Sequence, residues 1–205
     1  GSADAAGDNT GNADSNTPCT FRFDALIIPA VTPTEARIAC GAVKDYLQGS
    51  LTATTFGTPL SFRLSHLMAQ ISVTLKAGIG YTAEDLSQNV TVHLYGLHTL
   101  TDEGVETDGT LILSKEAASS PLKMNKAAEA NAEGNFTYTA LVAPQTIVQG
   151  NLVARITLTA QEADRTTPVS LSYDYRAGSN GFVYRAGQNN KLVLTVSKAG
   201  VSAVF

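Results

Sequence analysis

Apolar and polar positions alternate with a period of two along most of the chain. Phe21, Phe23, Ala25 and Ile27 alternate with Arg22, Asp24 and Leu26, and Ile71, Val73 and Leu75 with Ser72, Thr74 and Lys76. The same pattern runs through Val90–Tyr95, Phe136–Val142, Leu152–Thr159, Leu171–Tyr175 and Leu192–Ser197. Side chains of a strand point to opposite faces in turn, so each run predicts a strand with one buried face and one wet face. The wet faces are rich in Thr and Ser, and the β-branch of threonine suits a pleated backbone.

Turn residues separate the runs. Asp108-Gly109 and Asn180-Gly181 suit the positive φ angles of tight hairpins, and Pro29, Pro59, Pro144 and Pro168 fall at run edges, where a missing N–H does least harm. Many short strands with regular turn signals predict an all-β fold, an antiparallel β-sandwich or barrel. One stretch breaks the rhythm. Phe62, Leu64 and His66 are apolar-side in even phase, whereas Leu67, Ala69, Ile71 and Val73 are odd, which predicts a β-bulge. Thr82–Leu86 predicts a single helical turn capped by Thr82. Lys123–Glu133 has helix-forming composition without a wide apolar face, and predicts a loop with a short helix.

Composition narrows the function. The chain has 205 residues, 43% of them hydrophobic and 16% charged, so it is long enough to bury a core without staples. Lys+Arg 14 against Asp+Glu 18 leaves a net charge of -4, which argues against nucleic acid or an anionic membrane surface as partner. No apolar run approaches the ~18 residues of a membrane span. Gly1-Ser2 reads as a tag remnant, and residues 3–17 hold nothing to bury, so 1–17 is expected to be a disordered tail. Residues 18–84 then form a reduced N-terminal β domain and 85–205 a complete C-terminal sandwich packed with it, the boundary falling in Gly78–Gln88. Cys19 and Cys40 have no metal-ligand spacing. One disulfide and two buried thiols both remain open for them, and a hairpin of 21–30 with 36–46 turning near Pro33 would put them out of register.

No nucleophile elbow, zinc-protease helix, P-loop or dinucleotide fingerprint occurs, so no enzyme activity and no cofactor are expected. His66, in phase with Phe62 and Leu64, is expected to face inward with a hydrogen-bond partner, while His93 and His98 lie on opposite phases and suit no shared metal. The Asp8–Asp14 stretch lacks the residue order of a calcium loop. Tyr173, Tyr175, Phe182 and Tyr184 flank the Asn180-Gly181 turn and, with Asn189 and Asn190 nearby, are candidates to stack a sugar ring. Cross-strand packing of paired aromatics is the simpler reading.

Four stretches resemble the fimbrillin family of pilus subunits of Bacteroidales. Pro59–Leu75 is similar to its F-x-x-x-H-x-x-A-x-x-x-V-x-L strand, with Lys44–Leu47 and Gly49 similar to the lead-in. Tyr138–Gln145 matches its Y-x-A-x-x-x-P-Q element, and Phe182–Gly187 with Lys191–Val196 is similar to its ending. The resemblance covers roughly residues 44–198, in order. The stretch ahead of the His-containing strand is shorter than the family's, and the chain has no Trp.

The resemblance implies transthyretin-like sandwich domains, export as a lipoprotein, and display on the outer membrane or pilus, with the membrane met only through a lost lipid anchor. It implies a structural pilus subunit that assembles with identical or related subunits by donor-strand exchange and supports adhesion to a host protein or glycan. The strand-exchange candidates are Val201, Ala203 and Phe205, in the alternating C-terminal run; the plainer reading makes that run the last strand of its own sheet. A monomeric cell-surface module binding carbohydrate or protein through its loops is the alternative.

Overall fold

A computed structural model of the chain describes residues 21–27, 45–53, 61, 63–106, 109–160 and 169–204. Sixteen strands follow one another among them: β1 (Phe21–Ile27), β2 (Leu47–Ala53), β3 (Ser65–His66), β4 (Ala69–Ala77), β5 (Val90–Leu94), β6 (Leu100–Val105), β7 (Leu111–Leu113) and β8 (Leu122–Lys123). After these come β9 (Asn125–Lys126), β10 (Thr137–Val142), β11 (Gln145–Ile147), β12 (Leu152–Ala160), β13 (Val169–Arg176), β14 (Phe182–Tyr184), β15 (Asn189–Ser197) and β16 (Gly200–Val204). The molecule is all-β, and each alternating run of the sequence is a strand.

Two sheets make the sandwich. One has five strands in the order β16-β15-β4-β10-β9, the other four in the order β13-β12-β5-β8. Their facing sides bury Ile71, Val73 and Leu75 of β4, Leu192, Leu194 and Val196 of β15, and Tyr138 of β10. Val92 and Leu94 of β5 and Ile156 of β12 lie in the same core. Among the described residues the expected antiparallel scheme holds for every strand pairing except one. β4 and β15 run parallel over eight positions, from Asn189↔Gln70 to Val196↔Ala77. Parallel neighbours need a long crossover, and more than a hundred residues separate these two. β4 precedes the expected division at residue 84 and is nonetheless the middle strand of the five-stranded sheet, with β10 on its other side.

The phase change near His66 is not a bulge in one strand. β3 pairs with β2 in a separate three-stranded sheet, β1-β2-β3, and the chain then passes through Leu67 and Met68 into β4. Each sheet has its own inside, so a strand that changes sheets changes phase. His66 accordingly points outward, with its side chain 59% exposed, and its Nδ1 lies 2.7 Å from Asp45 Oδ2. The expected inward His66 is corrected by this placement; the hydrogen-bonded partner is present. β1 pairs with β2, from Phe21↔Ala53 to Ile27↔Leu47, and most of the expected partner segment 36–46 lies outside the described residues. Cys19, Cys40 and Pro33 lie outside the described residues.

Thr82–Ser87 makes one turn, with Leu86 N–H reaching the Thr82 carbonyl at 3.4 Å. Asp85 Oδ2 accepts from the Thr82 N–H at 2.7 Å and the Asp85 N–H donates to Thr82 Oγ1 at 3.2 Å, a reciprocal cap. Lys123–Glu133 holds no helix. Its first part runs from β8 in one sheet through buried Met124 to β9 in the other. Tertiary pairing with β5 and β10 overrides its helical propensity. This crossing run closes one side of the sandwich.

Candidate functional site

The other side of the sandwich has no crossing strand among the described residues. The edge strands of the two sheets, β13 and β16, lie together there. β16 pairs with β15 on its inner side, from Val193↔Val204 to Ser197↔Gly200, and β13 pairs with β12. Neither has an outer strand neighbour among the described residues, so each presents a row of backbone N–H and C=O groups. Val201 and Ala203 are half-buried and packed against the core, which makes β16 the last strand of its own sheet in this chain. Phe205 lies outside the described residues. Along β13 the core-facing phase is Leu171, Tyr173 and Tyr175, and burial deepens along it. Leu171 is 42% exposed, Tyr173 is half-buried and Tyr175 is 8% exposed. An inward-phase leucine left this open shows that the margin is not sealed at the Leu171 end of β13. Tyr173 is held by Tyr81, hydroxyl to hydroxyl at 2.5 Å, and burial leads the causes that push the Tyr81 phenol up to about 12.

The four aromatics around Asn180-Gly181 do not form a stacking platform. Tyr175, Phe182 and Tyr184 are core residues, in edge-to-face contact at 6.2 and 5.0 Å between ring centroids. Burial pushes the Tyr184 phenol well above its usual range and Tyr138 to about 12. The turn itself is not a hairpin, because β13 and β14 belong to different sheets and β14 pairs with β11. Gly181, at φ +73°, marks the corner where the chain leaves the four-stranded sheet. A Cβ there would come within 2.8 Å of the Ile147 carbonyl.

Beside this corner lies an open groove of ≈ 550 Å³ between the 178–181 turn and the β14–β15 connection. Asn189 and Asn190 line it but serve the fold. Ser72 Oγ donates to Asn189 Oδ1 at 2.8 Å. Asn190 Nδ2 donates to the Gln70 carbonyl at 3.0 Å and the Gln188 carbonyl at 3.3 Å, and its Oδ1 accepts from the Arg185 N–H at 3.2 Å. The groove also presents Ser179, Arg185, Gln188 and Lys191; Arg185 and Lys191 fall within the family-like ending, but no motif marked any of the four as a ligand contact. One signal was available: residues 175–205 contain Arg176, Arg185, Lys191 and Lys198 but no Asp or Glu.

His93 and His98 are apart in role. Burial first, then Lys123, holds the His93 imidazole below its usual range. The His98 ring sits 2.9 Å from the Ser114 carbonyl, and its backbone N–H donates to Gln145 Oε1 at 2.8 Å. Gln145 Nε2 returns bonds to the carbonyls of His98 and Ala143, which explains the Pro144-Gln145 element as a clamp on the β10–β11 corner. Among the described residues no three His, Cys, Asp or Glu side chains converge as a metal site would require.

Fold and margin together define a two-sheet β-sandwich with strand edges unpaired on one side among the described residues. A family model for fimbrillin-like proteins matches residues 39–204, and the chain belongs to that family. Three solved structures share the fold. A candidate cell adhesion protein from Bacteroides uniformis aligns with a TM-score of 0.57 at 17% identity, covering 88% of this chain and 63% of that one. Candidate cell adhesion proteins from Bacteroides fragilis (0.52, 11%, covering 92% and 65%) and Bacteroides ovatus (0.52, 20%, covering 89% and 58%) are similar. The chain therefore spans less than two thirds of each of these structures. No curated protein matches it.

Proposed function

We propose that this chain is a structural subunit of a cell-surface pilus, that it joins identical or related subunits by strand exchange, and that it supports adhesion. Membership of the fimbrillin-like family and the fold shared with candidate cell adhesion proteins support this reading. So does the open margin, which is the single observation that carries it: two edge strands side by side, with Leu171, in the core-facing phase of β13, 42% exposed. An incoming strand pairs with the free backbone groups while its alternate side chains fill the space between the sheets. In an exchanged assembly the residues in the core-facing phase are Val201, Ala203 and Phe205. Export to the surface as a lipoprotein, with transthyretin-like sandwich topology, belongs to the same proposal, and no enzymatic step is part of it.

A chain ending at Ala199 leaves the edge of β15 bare. A synthetic peptide of residues 200–205, supplied at about 100 times its Kd, is expected to bind and raise Tm by roughly 5–10 °C. A peptide that neither binds nor shifts Tm, with a shortened chain that stays monomeric, would overturn strand exchange at this edge.

A further inference from the structure

We propose that the groove between the 178–181 turn and the β14–β15 connection is a binding site for a carboxylated sugar. Its ≈ 550 Å³ lies in the size range of small-ligand sites, roughly 300–1,000 Å³. Its charge is one-sided: Arg185 and Lys191 line it, and no carboxylate does, in a chain whose net charge is -4. Neither cation has an ion-pair partner among the described residues. An Arg fork and a Lys point charge facing one opening suit a carboxylate, because charge-assisted hydrogen bonds are the strong ones.

The neutral lining suits hydroxyls. Ser179, Asn180 and Gln188 are exposed there, and their side chains have no hydrogen-bond partner among the described residues. A hydroxyl both donates and accepts, and an alcohol, a carboxamide and a second carboxamide can answer either need. The floor is fixed in advance, since Asn190 ties Gln70, Arg185 and Gln188 together through their backbones. The backbone is then ordered before a ligand arrives, and the ordering left to oppose binding is that of the exposed side chains.

The same bonds speak against an acidic peptide docking through its main chain. The carbonyls of Gln70 and Gln188 already accept from Asn190, and β14 is already paired with β11. Val183, 38% exposed, is the one large apolar side chain open in the lining. A ligand there meets side-chain donors and acceptors rather than a strand edge or apolar pockets.

The test titrates the full chain by calorimetry with digalacturonic acid and with sialyllactose, against galactobiose and lactose as neutral counterparts and a tetraglutamate peptide. At least one acidic sugar is expected to bind saturably and at least tenfold tighter than its neutral counterpart and the peptide; which of the two does so tells a uronate from a sialate. Arg185→Ala and Lys191→Ala are each expected to weaken that binding about tenfold, the loss of one charge-assisted bond, with Tm unchanged. Lys115→Ala, outside the groove, is expected to leave it unaltered. No saturable binding, equal binding of neutral sugars, tighter binding of the peptide, or indifference to both groove variants would each overturn the proposal. The groove shares no residue with β16, so failure here leaves strand exchange standing, and failure there leaves the groove standing.

Discussion

At the scale of single residues, the ion pair on the wet face of the four-stranded sheet gives the clearest physical handle. Arg155 Nε and Nη2 donate to Asp174 Oδ1 and Oδ2 at 2.6 and 2.9 Å, across the directly opposed positions of β12 and β13. The hydrogen bonds from Arg155, then its charge and that of Arg176, hold the Asp174 carboxyl below its ordinary 3.8. A depressed folded-state value means that the pair stabilises the fold above the ordinary carboxyl range. That contribution is lost as pH falls through the depressed value. Asp85, lowered by its bonds with Thr82, adds to the same acid slope. Asp174→Asn is therefore expected to lower Tm slightly at pH 7 and to flatten the fall of Tm between pH 5 and pH 2. Parallel slopes for the two proteins would show that the pair makes no difference. An Arg and an Asp in separate strands are visible in the sequence, but their pairing is set by the register of β12 against β13. The aromatics teach the same lesson. Tyr173, Tyr175, Phe182 and Tyr184 alternate as strand residues should, yet the sequence does not say that β14 leaves the sheet of β13. That departure turns Phe182 and Tyr184 into core.

At the scale of elements, β4 governs the sandwich. It bridges β15 and β10, and Ala69, Ile71, Val73 and Leu75 are all buried on its inner face. Its outer face also contributes, through Ser72 to Asn189 and Thr74 to Thr137 at 2.8 and 2.9 Å. Ile71 is 0% exposed, so Ile71→Ala is expected to cost about 2–5 kcal/mol, a fall in Tm of roughly 5–15 °C. Val204, at 64% exposure on the edge strand, is expected to tolerate Ala within about 0.5 kcal/mol. Thermal melts of the two variants side by side check both values, and similar losses would contradict a sandwich centred on β4. The period-two pattern identified β4 as a strand with its buried face correctly chosen. It could not reveal a parallel neighbour, because a parallel partner more than a hundred residues away leaves no local mark. The phase shift before β4 was legible; its cause, a passage from one sheet to another, was not.

At the scale of the whole molecule, the five-stranded sheet takes β4 from one side of residue 84 and its other four strands from the other side. A fragment of residues 85–205 keeps β10 and β15 but lacks the strand between them. It is expected to show no cooperative melting transition, whereas residues 61–205 are expected to keep one. A cooperative transition in the shorter fragment would instead support a self-sufficient sandwich beginning at residue 85. The strand runs, their inner faces, the family and the lack of an enzyme-like motif all followed from the sequence, because they depend on neighbours two residues apart or on short local patterns. Which strands adjoin, which edges stay open and where the cations meet a groove were decided only in the tertiary structure. Those are properties of backbone hydrogen bonds between distant segments, and side-chain periodicity carries no record of which partner a strand will find.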